Sequence, residues 1–182
     1  MNNIFLGIGS NLGDKLRIIQ NSLQELMQIG QICMVSSLYQ SPAWGVVNQP
    51  DYFNLVLEIN SLLQPYELLS YLHQIEYNNG RERSFRWAAR TLDIDILYFN
   101  DFVIQEPSLK IPHERLPLRK FVLEPLAEIA PYKVHPVLQK NHLELLSICP
   151  DASELRCVYH QDWQNFLHEN IYSAENKKAL LE

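Results

Sequence analysis

Residues 86–99 read RWAARTLDIDILYF. From Leu92 to Phe99 the run is apolar and strand-like, yet Asp93 and Asp95 interrupt it. Aspartate is depleted in strands, and an unpaired buried carboxylate is costly. The pleat resolves the conflict. Side chains two residues apart share a face, with Cα atoms about 6.5–7 Å apart. Ile94 and Ile96 then point into a core while both aspartates point the other way. Two carboxylates so placed repel each other unless a cation sits between them. Their hard oxygens suit Mg²⁺, which takes few protein carboxylates and completes its shell with water and phosphate oxygens. A solvated sheet face, or pairing to nearby arginines, would tolerate the same two residues.

Arg81, Arg83, Arg86 and Arg90 lie just ahead of the aspartates, in a chain of formal net charge −6. Guanidinium forks match phosphate oxygens bidentately and stay protonated at any working pH. Carboxylates for a cation beside arginines for phosphate are the parts that phosphoryl transfer needs. The same arginines could instead neutralise Asp93 and Asp95 in surface ion pairs, which contribute little.

Working outward, residues 3–8 form a short apolar strand ending in glycine. Leu12, Leu16, Ile19, Leu23 and Leu26 follow at helical spacing, with Gly30 as the stop. Residues 32–39 read as a second strand, and SPAWGVVNQP (41–50) as a loop. Residues 52–59 alternate, with Phe53, Leu55, Leu57 and Ile59 on one face and Tyr52, Asn54, Val56 and Glu58 on the other. Pro65 opens a helix carrying Leu68, Leu69, Leu72 and Ile75. RERSFRWAAR (81–90) reads as a second loop, the aspartate strand follows, and Asn100-Asp101 turns into an extended piece at 102–105. Residues 118–130 form a third helix containing Pro125, which is expected to kink or shorten it. Beyond Pro150 the pattern weakens, and a solvated helical tail is expected from about Ser173. Strand, helix, strand, strand, helix, strand is the split βαβ order. The expected fold is therefore an α+β ferredoxin-like sandwich, a mainly antiparallel sheet with helices on its faces. The expected domain is 1–160, with 161–182 as a C-terminal extension.

Of the 182 residues 47% are apolar and 20% charged, which fits one soluble domain with a substantial core. The acidic balance argues against a nucleic-acid partner. Three cysteines without a CxxC pair point to reduced thiols in the cytoplasm. The start, MNNIFLGIGS, lacks the basic region of a signal peptide, and no run approaches the ~20 apolar residues of a membrane span. A monomer that meets no membrane is expected.

GIGSNLG (7–13) invites a dinucleotide fingerprint, but Leu12 stands where the third glycine belongs. A turn from strand into helix is the expected role of these glycines. Asn54 shares a strand face with Tyr52; its amide could read the edge of a flat heterocycle, and aromatics could stack on the ring faces. IPHERLPLRKF (111–121) holds His113, Arg119 and Phe121. The histidines show no spacing with cysteines that would suggest zinc.

Taken together these motifs are recognisable. RWAARTLDIDIL resembles the signature of the 6-hydroxymethyl-7,8-dihydropterin pyrophosphokinases of folate biosynthesis: a basic residue, a small pair, Arg90, two residues, then Asp93-Ile94-Asp95-Ile96-Leu97. IGSNLGD (8–14), the SPAWG stretch, QPDYFN (49–54), GRER (80–83), IPH and RKFVLEPL extend the resemblance to about Pro136. It implies transfer of diphosphate from ATP to a pterin hydroxymethyl group, with AMP leaving. Asp93 and Asp95 would hold two Mg²⁺ ions. Ser41, Pro42, Trp44, Tyr52, Asn54, Trp87 and Phe121 would bind the pterin. Glu76, Arg83, Arg90, Lys110, His113 and Arg119 would form the ATP site, with Arg81, Arg90 and Asp95 in the chemistry. Glu114 stands where the family more often has an aromatic. Two rivals stay open at this point: a two-metal nucleotidyl transferase or cyclase on the same fold, and a non-catalytic small-molecule-binding module.

Overall fold

A computed structural model describes residues 1–43, 49–81, 90–158 and 160–173. In chain order its elements are β1 (Asn2–Ser10), α1 (Lys15–Leu26), β2 (Gln31–Val35), β3 (Tyr39–Ser41), β4 (Tyr52–Ser61), α2 (Pro65–Asn78), β5 (Asp93–Phe99), β6 (Ile104–Glu106) and β7 (Leu109–Ile111). A 3₁₀ turn at Leu116–Leu118 leads into α3 (Lys120–Ile129), then α4 (His142–Ser147), β8 (Arg156–Cys157) and α5 (Gln161–Asn170).

The main sheet runs β5-β1-β4-β3-β8, with β2 also paired to β4, and every pairing is antiparallel. This is the expected α+β sandwich. Helix starts follow local chemistry. Asp14 caps α1 by accepting the N–H of Arg17. Gln64 and Glu67 form a capping box ahead of α2, with Pro65 in the first turn. Gly13, at φ 68°, makes the turn from β1 into α1.

The expected single strand at 32–39 is two. Ser36 interrupts it: its hydroxyl accepts the N–H of Val56, and its own N–H donates to the carbonyl of Val56. Ser37 then turns its N–H to the carboxylate of Glu128 on α3, which also accepts the hydroxyl of Tyr39. Side chains thus satisfy the groups that a continuous ladder would have used.

The two faces of the sheet carry separate cores. Ile4, Leu6, Ile8, Leu55, Leu57, Ile59, Ile94 and Ile96 pack with α1, α2 and α5 on one face. Each such Leu or Ile contributes roughly 1.5–3 kcal/mol by leaving water. Trp163, Phe166, Leu167 and Ile171 join this core, so residues just beyond the expected boundary at 160 are part of it. On the other face Phe5, Val56, Leu97 and Tyr98 lie under Val122, Leu123, Leu126 and Leu145 of α3 and α4. A bulge sets that division. Phe5 pairs with Tyr98 but Leu6 pairs with Ile96, so Leu97 is the extra residue. Leu97 and Tyr98 both reach the α3 side, and Phe99 returns to the first core.

Helix α3 covers only one end of this second face. The other end, which carries Asp93 and Asp95, opens into a cavity bordered by Phe121 and Val122 at the start of α3.

Candidate active site

The open end is built from three neighbouring strands. Gly9 pairs with Asn54 on one side and Asp93 on the other, and Gly7 pairs with Val56 and Asp95. Two carboxylates and an asparagine therefore share a face across a strip that bears no side chains. A Cβ on Gly9 would sit 3.1 Å from Asn54 Oδ1 and 3.5 Å from the Tyr52 ring. The turn expected for GIGSNLG is thus corrected. Gly13 makes the turn, whereas Gly7 and Gly9 lie within β1 and form a floor. Glycine inside a strand often marks such a close approach, and this was the available signal.

Over this floor opens a cavity walled by Ser41, Pro42, Tyr52, Asn54, Phe121 and Arg119, with Asp93 and Asp95 at its edge. Asn54 is 5% exposed, and its Nδ2 donates to Ser41 Oγ at 2.8 Å, which fixes the amide plane. The cavity offers two aromatic rings, one oriented carboxamide and a charged rim. Such a lining takes a flat heterocycle with polar edges.

A second cavity lies on the opposite side of the aspartates. Glu76, Arg81, Lys110, His113 and Glu114 line it, with His73, Pro107 and Ser108, and it shares Arg90, Asp93 and Asp95 with the first. Its polar groups form a chain. Glu76, on α2, accepts the N–H of Ile94 at 2.8 Å and pairs with Arg81. Arg81 and Arg90 converge on Oδ1 of Asp93, at 2.8 and 2.7 Å. Oδ2 of Asp95 lies 3.4 Å from Arg119 Nη1 and 3.7 Å from His113 Nε2. His113 Nδ1 accepts the N–H of Arg115, so a neutral ring carries its proton on Nε2, facing Asp95. Lys110 pairs with Glu114, which gives the unexpected acid beside His113 a local partner.

Electrostatics follow from enclosure. Burial pushes the Glu76 carboxyl up to about 7, against the pull of the Ile94 N–H and Arg81. Enclosure and then the charge of Asp93 raise Asp95, while His113 and Arg119 oppose the rise. Burial lowers His113, with Asp95 pulling the other way. Each group is held in a state that an approaching cation or phosphate would shift.

The structure brings Ser41, Pro42, Tyr52, Asn54 and Phe121 to the first cavity, Glu76, Arg81, Lys110 and His113 to the second, and Arg90, Asp93 and Asp95 to both. Arg119 stands at the first cavity and reaches Asp95. Trp44, Arg83 and Trp87 lie outside the described residues, as do residues 44–48 of the first expected loop and 82–89 of the second. Arg81 and Arg90 do pair with Asp93, but between two open cavities.

Two strand-borne carboxylates, with a bare glycine floor beside them, fit a hard divalent ion that draws its remaining ligands from phosphate and water. Among the described residues no three His, Cys, Asp or Glu side chains are grouped to hold a metal by themselves. Asp93 and Asp95 would thus supply the protein's share of the ligands. Among the same residues no helix is long and apolar enough to cross a membrane, and the three cysteines are free.

The comparisons agree with this geometry. The chain is 40% identical over 140 residues to the 2-amino-4-hydroxy-6-hydroxymethyldihydropteridine pyrophosphokinase of Aquifex aeolicus, across 77% of this chain and 88% of that one. With the Bacillus subtilis protein of the same name the identity is 42% over 132 residues, across 71% and 79%. Wild-type Plasmodium falciparum HPPK-DHPS has the same fold, with a TM-score of 0.66 over 80% of this chain at 17% identity; the chain spans 44% of that longer protein. The model of the 7,8-dihydro-6-hydroxymethylpterin-pyrophosphokinase (HPPK) family matches residues 5–131. That span holds the glycine floor, both aspartates and the linings of both cavities, and the chain belongs to this family.

Proposed function

We propose that the two cavities receive two substrates side by side and that the diphosphate passes between them at Asp93 and Asp95. The reaction moves the β- and γ-phosphoryl groups of ATP onto the hydroxymethyl oxygen of 6-hydroxymethyl-7,8-dihydropterin, a step of folate biosynthesis. One observation supports the residue assignment above the rest: among the described residues, Arg90, Asp93 and Asp95 alone line both cavities.

Tyr52 and Phe121 hold the pterin between their rings, with Trp44 and Trp87 contributing from beyond the described residues. Asn54, fixed by Ser41, reads the polar edge, and Pro42 closes the wall. Lys110, His113, Arg119 and Arg83 meet the triphosphate, and Glu76 keeps Arg81 directed at the junction. Asp93 and Asp95 would hold two Mg²⁺ ions, which when bound neutralise charge on the phosphate oxygens. The hydroxymethyl oxygen forms its bond to the β-phosphorus as the bond to the α-phosphate oxygen breaks. The hydroxyl proton goes to Asp95, and AMP carries away the electron pair. Arg81 and Arg90 stabilise charge developing on the transferred group. Residues 1–160 form the catalytic unit and 161–182 an extension whose described helix closes the first core. The enzyme works as a cytoplasmic monomer, since side chains of this one chain line both cavities.

The test is product analysis by phosphorus NMR after incubation with ATP, Mg²⁺ and the dihydropterin. AMP with a pterin diphosphate is expected. Release of free pyrophosphate would instead indicate a nucleotidyl transferase or cyclase. Unreacted ATP, unchanged by added Mg²⁺, would indicate a binding module.

A further inference from the structure

Helix α3 begins with a residue that does not cap it. Arg119 stands at the N-cap position and makes no side-chain bond to the helix. Its guanidinium is turned to the site instead, with Nη1 3.4 Å from Asp95 Oδ2 and Cζ 5.5 Å from the centre of the Phe121 ring. The first N–H groups of a helix have no partner within it, and an arginine, which only donates, cannot serve them.

The acceptor comes from a distant part of the chain. Oδ2 of Asp151 accepts the main-chain N–H of Lys120, the first residue of α3, at 3.0 Å. Oδ1 accepts the N–H of Ser153 at 3.0 Å, which fixes the carboxylate, and Lys120 Nζ donates to the Ser153 carbonyl at 3.5 Å. A carboxylate in this place also meets the positive end of the helix dipole.

The same stretch then crosses to the opposite wall of the first cavity. Arg156 and Cys157 of β8 pair with Gln40 and Tyr39 of β3, and the Val158 N–H donates to the Leu38 carbonyl at 2.7 Å. Ser41, whose hydroxyl fixes the Asn54 amide, is the next residue of β3. Phe121 and Ser41 both wall the cavity, whereas none of residues 151–158 lines it. This stretch therefore ties the start of α3 to β3 from outside the site.

We propose that Asp151 is a positioning residue for the pterin: by capping α3 from a distance it sets where Phe121 stands against Asn54. This rests on reading the first cavity as the pterin site. Arg119 keeps its own hold on Asp95, so the nucleotide side is spared.

The experiment is steady-state kinetics of the full chain, with the dihydropterin and Mg²⁺-ATP varied in turn, alongside thermal unfolding. Asp151→Ala removes the acceptor and should raise the KM for the pterin about fivefold to tenfold, the ratio that loss of one cap represents. The KM for ATP should stay within about twofold of wild type. Asp151→Asn still offers an oxygen to the Lys120 N–H and should bring the pterin KM back to within about twofold of wild type. A purely structural role would lower the melting temperature and the active fraction, hence the apparent kcat, and leave both KM values unchanged. If Asp151→Ala does not fold, Lys120→Pro decides. It deletes the N–H that Asp151 holds, at a helix position that favours proline, and Arg119 before it has the extended backbone (φ −122°, ψ 108°) that a following proline needs. It should raise the pterin KM as Asp151→Ala does. A pterin KM of wild-type size in the variant that decides, an equal rise in both KM values, or no recovery in Asp151→Asn overturns the proposal while the functional reading stands. A wild type that turns over no dihydropterin overturns both.

Discussion

Glu76 on α2 accepts the main-chain N–H of Ile94 on β5 at 2.8 Å, so a helix braces the strand residue that separates Asp93 from Asp95. The same carboxylate holds Arg81, and Glu76 is 2% exposed. Glu76→Ala would leave the buried Ile94 N–H without an acceptor and the partly buried Arg81 guanidinium with Asp93. Loss of one member of a buried pair costs about 3–5 kcal/mol. Denaturant unfolding should show a loss of that size for Glu76→Ala and a smaller one for Glu76→Gln, which still offers Ile94 an acceptor.

Asp95 lies where the two cavities meet, 3.4 Å from Arg119 of the first and 3.7 Å from His113 of the second. Asp95→Asn is expected to lower turnover by about a hundredfold to a thousandfold, as for loss of one group that stabilises developing charge. Pterin affinity should change little. Phosphorus NMR follows the first and calorimetry the second; a variant with wild-type turnover would refute the assignment.

Gly9 has neighbours that a methyl group would crowd, with Asn54 Oδ1 3.1 Å from the new carbon. Gly9→Ala should leave the fold intact, because the extended backbone of β1 accepts any residue, while displacing the Asn54 amide proposed to read the pterin edge. The expected result is a KM for the pterin raised about tenfold, near the range for a misplaced buried hydrogen bond, with the KM for ATP little changed. Steady-state kinetics with each substrate varied in turn would show an equal rise in both if the floor served them alike.

His142 lies in the second core, where Nδ1 faces the Ala130 carbonyl at 2.7 Å and Nε2 faces the Tyr98 hydroxyl at 3.1 Å. The carbonyl requires a proton on Nδ1, so Nε2 accepts from Tyr98 and the ring is neutral. Burial lowers its pKa to about 4, helped by the nearby charge of Lys133. Unfolding restores an ordinary value near 6.5, so between about 4 and 6.5 the unfolded chain binds the extra proton. This contribution is complete above 6.5 and declines as pH falls toward 4, by roughly 3 kcal/mol in total. His142→Asn should flatten the acid slope of stability when unfolding is compared at pH 7 and pH 4.5.

Trp163, on α5, is fully buried and stacks on Phe166 with ring centroids 5.9 Å apart, yet its indole N–H has no hydrogen-bond partner among the described residues. Its contribution is therefore packing. Trp163→Ala should cost about 3–5 kcal/mol and Trp163→Phe far less, measured by thermal unfolding.

The alternation at residues 52–59 placed Tyr52 and Asn54 opposite the main core, and the structure keeps them there. The Pro65 signal likewise marked the start of α2. Asp93 and Asp95 were legible as a pair because the two-residue period of a strand is local. Other features depend on distant partners. The break at Ser36 needs Val56 and Glu128, the bulge at Leu97 needs Phe5, and Asp151 acquires meaning only beside Lys120. Each lies tens of residues from what defines it.

By itself the sequence determined the split βαβ order of the main strands and helices up to β5, apart from the break at Ser36, the face on which the carboxylates stand, and the chemistry that carboxylates beside arginines can perform. These follow from backbone period and side-chain type, which neighbours along the chain set. Tertiary structure decided that Gly7 and Gly9 are a floor rather than a turn, that Phe121 at the start of α3 lines the cavity above it, and that two cavities meet at Asp93 and Asp95. Those outcomes depend on register between strands far apart in sequence, and register comes from packing the whole sheet at once.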